Sequence, residues 1–243
     1  MQSEIIIKSL TIILAAFLGA GLVGGSLPLF GNLKEKGLHS LLALGTGMLL
    51  GTIFLHMLPD AMSDHGYPIL VLLGLMTVFI VEKLVFGQSQ SGTHSLIGLT
   101  AFFGLSIHAF IAGFSFTFLL FGTNIPRTLL VSLIIHKLSE TFALSSVFLL
   151  AGYSKRKAIK LIIIFSLFTP IAMILGVMLV KTVVADYVEA AAAIATGTFL
   201  YVALADLLPE VFHHKKGRWW NLAALLFGIG FIAAIIGTGS HAH

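Results

Sequence analysis

The chain has 243 residues, 58% of them hydrophobic and only 10% charged, and its formal net charge is +4. A soluble domain carries roughly a quarter charged residues, so this composition excludes an ordinary soluble fold and predicts an all-α integral membrane protein. Cysteine is absent, which excludes disulfides and thiolate sites and leaves nitrogen and oxygen as metal donors.

A helix needs about 20 apolar residues to cross a bilayer. Runs of that kind fall at about 5–30, 39–61, 69–87, 95–122, 126–152, 158–181, 188–211 and 219–239. The first is too long for a signal peptide, has no clear small-residue cleavage site and carries Glu4 where a signal would be basic. It is read as a retained span. Residues 1–243 are therefore expected to form one transmembrane domain of eight helices, with both termini on the same side.

Loop charge sets which side. The connections after the first, fifth and seventh runs hold Lys34, Lys36, Lys155, Arg156, Lys157, Lys160, Lys215, Lys216 and Arg218. The opposite connections hold Arg127 and Lys181, with Asp64 and Asp186. Basic loops face the cytoplasm, which places the termini outside. The positive net charge is thus a topology signal, and nucleic acid is not an expected partner.

An ionisable residue inside a span is expensive and by default marks a pathway or a site. In the second run His56 and Asp60 stand four apart near its outer end. His108 lies in the middle of the fourth. The fifth contains His136-Lys137-Leu138-Ser139-Glu140, whose imidazole and carboxylate share one helix face. Asp206 and Glu210 stand four apart near the inner end of the seventh, followed by His213 and His214.

These residue types suit a divalent cation. His136 and Glu140 offer nitrogen and oxygen donors fit for Zn²⁺ or Fe²⁺, and His108 joins them as a donor from the neighbouring span. The competing readings are a structural hydrogen bond for the pair and a packed histidine for His108. Lys137 is expected to pair with Glu140 and to fill the place of a second cation, or else to reach a water-filled cavity. His56 with Asp60 at the entrance, and Asp206, Glu210, His213 and His214 at the exit, are read as weak stations that release what they bind. The alternative is residues touching headgroup water. Ser106, Ser115, Ser139 and Met48 are assigned to packing and local hydrogen bonds, and His241 and His243 to a terminal tail. Pro59, Pro170 and Pro209 are expected to kink their helices and free backbone carbonyls.

The chain also repeats itself. A shift of 150 lays Thr46-Gly47 on Thr196-Gly197, Leu50 on Leu200, and Leu58-Pro59-Asp60 on Leu208-Pro209-Glu210. The second and seventh spans run in opposite directions, so the repeat is inverted, a common plan for transporters with a mid-membrane site.

At these residues the sequence resembles the ZIP (Zrt-, Irt-like protein) family of divalent-metal transporters. The matching pieces run from Gly51 to Ala61, through the histidine of the fourth span and His136 to Glu140, and from Gly197 to Glu210. The resemblance implies a 3+2+3 helix arrangement, with spans 1–3 and 6–8 as inverted repeats. It also implies transport toward the cytoplasm through a metal site between spans four and five, with His108, His136 and Glu140 as ligands. Where the family has further polar ligands after the span-four histidine, this chain has Ala109 and Ala112. Lys137 stands where two-metal members carry an acidic or amide ligand, so a paired-metal centre is not expected.

The leading expectation is a non-enzymatic, multi-pass plasma-membrane transporter of a divalent metal, Zn²⁺ before Fe²⁺ or Mn²⁺. The ion is cargo, and no cofactor is expected. The other partner is the lipid bilayer, and a homodimer is allowed. Two other classes stay open: an intramembrane zinc hydrolase, and a transport-deficient member acting as a metal-gated regulator.

Overall fold

A computed structural model of the chain describes residues 2–31, 34–62, 67–86, 94–117, 127–179, 186–213 and 217–239. Among them the fold is all-helical, with no strand. In chain order the long helices are α1 (Gln2–Ser26), α2 (Glu35–Thr52, continued through Ile53–Met57 and Leu58–Ala61), α3 (Pro68–Phe86) and α4 (His94–Phe116). They are followed by α5 (Arg127–Leu150), α6 (Lys155–Leu179), α7 (Asp186–Tyr201, continued through Val202–Leu207 and Leu208–Val211) and α8 (Arg218–Gly239). Helix covers each apolar run of the sequence wherever its residues are described, except at Phe30, Ala151 and Gly152 at the ends of the first and fifth runs. Asp64, Lys181, His214, Lys215, Lys216, His241 and His243 lie outside the described residues.

Seven of these helices are long and apolar enough to cross a membrane by length and composition, and α3 is the one not counted among them. The outward faces are as apolar as the interior. Ile69, Leu73 and Ile80 on α3, Ile163, Ile171 and Met178 on α6, and Phe227 on α8 are all exposed. Helices that are hydrophobic all round belong in lipid. The protein is an integral, multi-pass membrane protein.

The helices pair in matched sets. α2 lies along α8 and α7 along α3; α1 packs on α5 and α6 on α4; α2 packs on α5 and α7 on α4. Exchanging α1 with α6, α2 with α7, α3 with α8 and α4 with α5 converts each contact into another of the set. The closest approaches obey the same exchange. A Cβ on Gly47 would run into the Leu225 carbonyl of α8, and one on Gly197 into the Val71 carbonyl of α3. Small residues let backbones meet at such crossings, where lipid provides no hydrophobic drive for association.

α2 and α7 also share an irregularity. Each widens into a π-helical turn, over Ile53–Met57 and Val202–Leu207, directly before its Leu-Pro-acid ending. Proline lacks an N–H, so the carbonyl four residues earlier has no helical donor, and a widened turn lets the chain pass the ring. α6 by contrast runs on through Pro170 as one helix.

α5 is the most enclosed helix. Leu144, Val147 and Phe148 are buried along it, but so are His136, Lys137, Ser139, Glu140, Thr141, Ser145 and Ser146. Buried polar groups are costly unless partnered. α5 therefore carries the functional question.

Candidate metal centre

α4 and α5 meet at the middle of the bundle. α4 brings His108, and one turn of α5 brings His136 and Glu140 on a single face. All three are buried, His108 completely. His108 Nε2 lies 3.3 Å from His136 Nε2 and 3.2 Å from Glu140 Oε1, and His136 Nε2 lies 3.5 Å from the same oxygen. The three donor atoms thus form a nearly equilateral triangle. Zinc bonds to nitrogen and oxygen of about 2.0–2.1 Å in a tetrahedron require donor separations of about 3.3–3.4 Å. The triangle has the dimensions of one tetrahedral face, with the fourth corner left for water or another ligand.

α7 aims the histidine of α4. His108 Nδ1 donates to the Ala195 carbonyl at 2.8 Å, which leaves the Nε2 lone pair directed at the triangle. The Thr198 hydroxyl donates to the same carbonyl at 2.7 Å. Phe199 stacks on the His108 ring at 4.2 Å between centroids, and meets the His136 ring edge-on at 4.9 Å. Two imidazoles are thereby wedged against one buried aromatic side chain.

Glu140 divides its two oxygens. Oε2 accepts from Lys137 Nζ at 2.9 Å, while Oε1 is buried and accepts no hydrogen bond. The ammonium also donates to Thr169 Oγ1 at 3.1 Å and lies 4.1 Å from the centre of the Phe165 ring. Thr169 donates in turn to the Ala109 carbonyl at 3.3 Å. Ala109 therefore enters the network through its backbone. Its methyl and that of Ala112 are buried and contribute no donor.

The remaining sequence-predicted residues stay apart from the trio; among the described residues it is the only such group able to hold a metal. His56 and Asp60 pair at 3.1 Å at the surface, with Asp60 68% exposed. Asp206 lies in the widened turn of α7 within electrostatic reach of Glu82 on α3, whose carboxylate pairs with Lys83 at 3.7 Å. One oxygen of each acid, Glu82 Oε2 and Asp206 Oδ2, is buried without a hydrogen-bond partner. Glu210 is buried at the end of α7, His213 is exposed, and His214 lies outside the described residues. Ser115 and Ser139 donate to carbonyls of their own helices, as assigned from the sequence.

Sequence reasoning missed Glu82, Ala195, Thr198, Phe199, Phe165 and Thr169. Glu82 had a signal, since it is a carboxylate inside an apolar run. The others are ordinary apolar or hydroxyl residues of membrane helices, and only their contacts set them apart.

The family profile described as ZIP Zinc transporter matches residues 87–236. The chain is 26% identical over 211 residues to zinc transporter ZIP13 of Pongo abelii, covering 78% of this chain and 63% of that protein. It is 29% identical over 165 residues to zinc transporter 5 of Oryza sativa subsp. japonica, covering 61% of this chain and 45% of that one. Against zinc transporter ZIP9 of Micropogonias undulatus the identity is 22% over 266 residues, with 84% and 85% covered. The chain thus spans less than two thirds of the length of the first two relatives. With the profile matching more than half of its residues, the chain belongs to the ZIP zinc transporter family.

Proposed function

We propose that this protein moves a divalent metal ion, Zn²⁺ first, across a membrane toward the cytoplasm, with His108, His136 and Glu140 as the mid-membrane station. The observation that carries the proposal is the donor triangle of 3.2–3.5 Å, closed by a buried Glu140 oxygen with no hydrogen-bond partner. Zinc is preferred over Fe²⁺ and Mn²⁺ because the relatives are named zinc transporters, since imidazole and carboxylate serve all three metals.

The frame is a single domain of eight spans in a 3+2+3 arrangement with outward termini, in the plasma membrane and free to pair as a homodimer. The exchange-related helix contacts and the matched π-helical turns of α2 and α7 support the inverted repeat. An ion would meet His56 and Asp60 first and lose water in stages. It would occupy the central triangle and leave by Asp206 and Glu210, with Glu82 added to that exit and His213 and His214 beyond it.

Lys137 sets the character of the centre. Its ammonium on Glu140 Oε2 takes the position of a second cation, so the site holds one ion. With the ion bound, one carboxylate faces a divalent metal and an ammonium together. That surplus of positive charge favours release, which conduction requires.

The same ion pair, with alanines at 109 and 112, supports a second reading: a member that binds metal to gate a partner and does not pass it. The hydrolase reading has less behind it, because Glu140 uses one oxygen on the triangle and the other on Lys137. Uptake of Zn²⁺ into proteoliposomes separates the readings. Wild-type flux that is lost in Glu140→Ala and His136→Ala supports the transporter. Binding without flux supports the regulator, and undiminished flux in both variants removes the assigned centre.

A further inference from the structure

A second feature lies away from the metal path, between the end of α1 and the beginning of α6. There the two helices leave a cleft of about 530 Å³, within the roughly 300–1,000 Å³ typical of ligand sites. Its walls are Leu22, Leu29 and Phe30 from the α1 side and Ile159, Ile162 and Ile163 from α6. Phe30 is 82% exposed at the mouth.

The rim is basic. Lys155 lines the cleft and donates from Nζ to the Gly31 carbonyl at 3.1 Å, tying the two helix ends together. Arg156 and Lys160 are exposed, and with Ile163 they follow the i, i+4, i+7 spacing of one helix stripe. The stripe therefore passes from two cations at the rim to an isoleucine in the cleft wall. No acidic residue stands in 22–30 or 155–163, the segments that line the cleft. Local backbone holds the geometry. Gly152, at φ +76°, closes α5 with Tyr153 N–H bonded to the Phe148 carbonyl, and the Ser154 hydroxyl caps the Lys157 N–H of α6 at 3.3 Å.

We propose that this cleft binds an anionic phospholipid, one acyl chain lying between α1 and α6 and the phosphate held by Arg156 and Lys160. Apart from Ser26, whose hydroxyl donates to the Val23 carbonyl, and Lys155 the wall is apolar, and such a wall in a membrane protein takes hydrocarbon. A cationic rim at the end of that wall selects a negative headgroup over a zwitterionic one. Lys157 serves as an internal control: it is exposed and basic, but it stands on the far side of α6 from the cleft-lining Lys155, Ile159 and Ile162 and lies 3.7 Å over the Tyr153 ring. The site depends on the protein spanning lipid and is independent of which ion it moves.

Native mass spectrometry of the delipidated full chain, re-supplied with phosphatidylglycerol or phosphatidylcholine, tests the assignment. Retention of phosphatidylglycerol over phosphatidylcholine is expected. R156Q/K160Q should lower that retention about 30-fold, the effect of two basic groups near a headgroup. I163W, which fills the cleft and leaves the charges, should also lower it, and I159F provides the same change in a second variant. K157Q should retain lipid as the parent does. Equal retention of the two lipids, or an equal loss in K157Q, overturns the site in favour of general surface charge. Undiminished binding in I163W and I159F, or displacement by inorganic phosphate alone, overturns the acyl-chain part.

Discussion

His108 on α4 donates its Nδ1 hydrogen to the Ala195 carbonyl on α7, 2.8 Å away, so a central donor is aimed by a helix that contributes none of the three donor atoms. Any slide of α7 along α4 releases that ring. In the proposed site, metal affinity is thereby expected to depend on the packing of the two helices, the kind of link that a site alternating between two exposures needs.

The aromatic contact makes this testable, because a backbone carbonyl cannot be replaced. Phe199→Leu keeps bulk against His108 and removes the stacked ring. Loss of an outer contact that orients a ligand costs 10- to 100-fold in metal affinity. We expect Zn²⁺ binding by calorimetry to weaken about tenfold in Phe199→Leu and further in Phe199→Ala, with a higher KM for uptake. Parent-like affinity in both variants would show that the stack does not orient the ring.

Lys137→Met makes a different prediction. Without the ammonium, Glu140 is a buried carboxylate lacking its ion-pair partner, and breaking a buried pair costs about 3–5 kcal/mol. The metal-free variant should unfold at lower temperature than the parent, and added Zn²⁺ should restore more stability to it than to the parent. An ammonium about 5 Å from a divalent ion repels it by roughly 7 kcal/mol at an effective dielectric of about 20. Its removal should therefore tighten binding and slow turnover. Weaker metal binding in Lys137→Met would reverse the role given to this residue.

The candidate site was legible in the sequence to the extent that it is made of expensive residues. His108, His136 and Glu140 stand out because charge and imidazole are rare in apolar runs, and the four-residue spacing fixes the face they share. Whether the two helices turn those faces together is a packing property, which no single run reveals. The same divide holds for the fold. Hydropathy locates the helices, and the shift of 150 anticipates that α2 and α7 are alike, down to the widened turn before proline. Phe199 and Thr169 carry no such mark, since aromatic and hydroxyl side chains recur throughout membrane helices.

Glu82 and Asp206 offer a way to separate binding from passage. They come from α3 and α7 and stand outside the central group, each with a buried oxygen lacking a hydrogen-bond partner. Glu82→Gln and Asp206→Asn should leave equilibrium binding at the centre near the parent value and lower the maximal rate of uptake. A fall in central affinity with an unchanged rate would place these acids in the central site and not at an exit.

The exchange symmetry of the packing predicts equal costs at distant positions. Gly47 and Gly197 lie on different helices and meet different partners, Leu225 of α8 and Val71 of α3, yet each faces a carbonyl that an added Cβ would strike. Overpacking of this kind costs about 1–3 kcal/mol. Gly47→Ala and Gly197→Ala should therefore lower the thermal midpoint by similar amounts. Gly19 has open space around its Cβ position, so Gly19→Ala should be neutral or gain about 0.5–1 kcal/mol from helix propensity. If Gly197→Ala behaves like Gly19→Ala while Gly47→Ala unfolds early, the α7–α3 crossing is looser than its counterpart. The two halves then do not share one packing rule, and the pseudo-symmetric frame proposed for transport loses its structural basis.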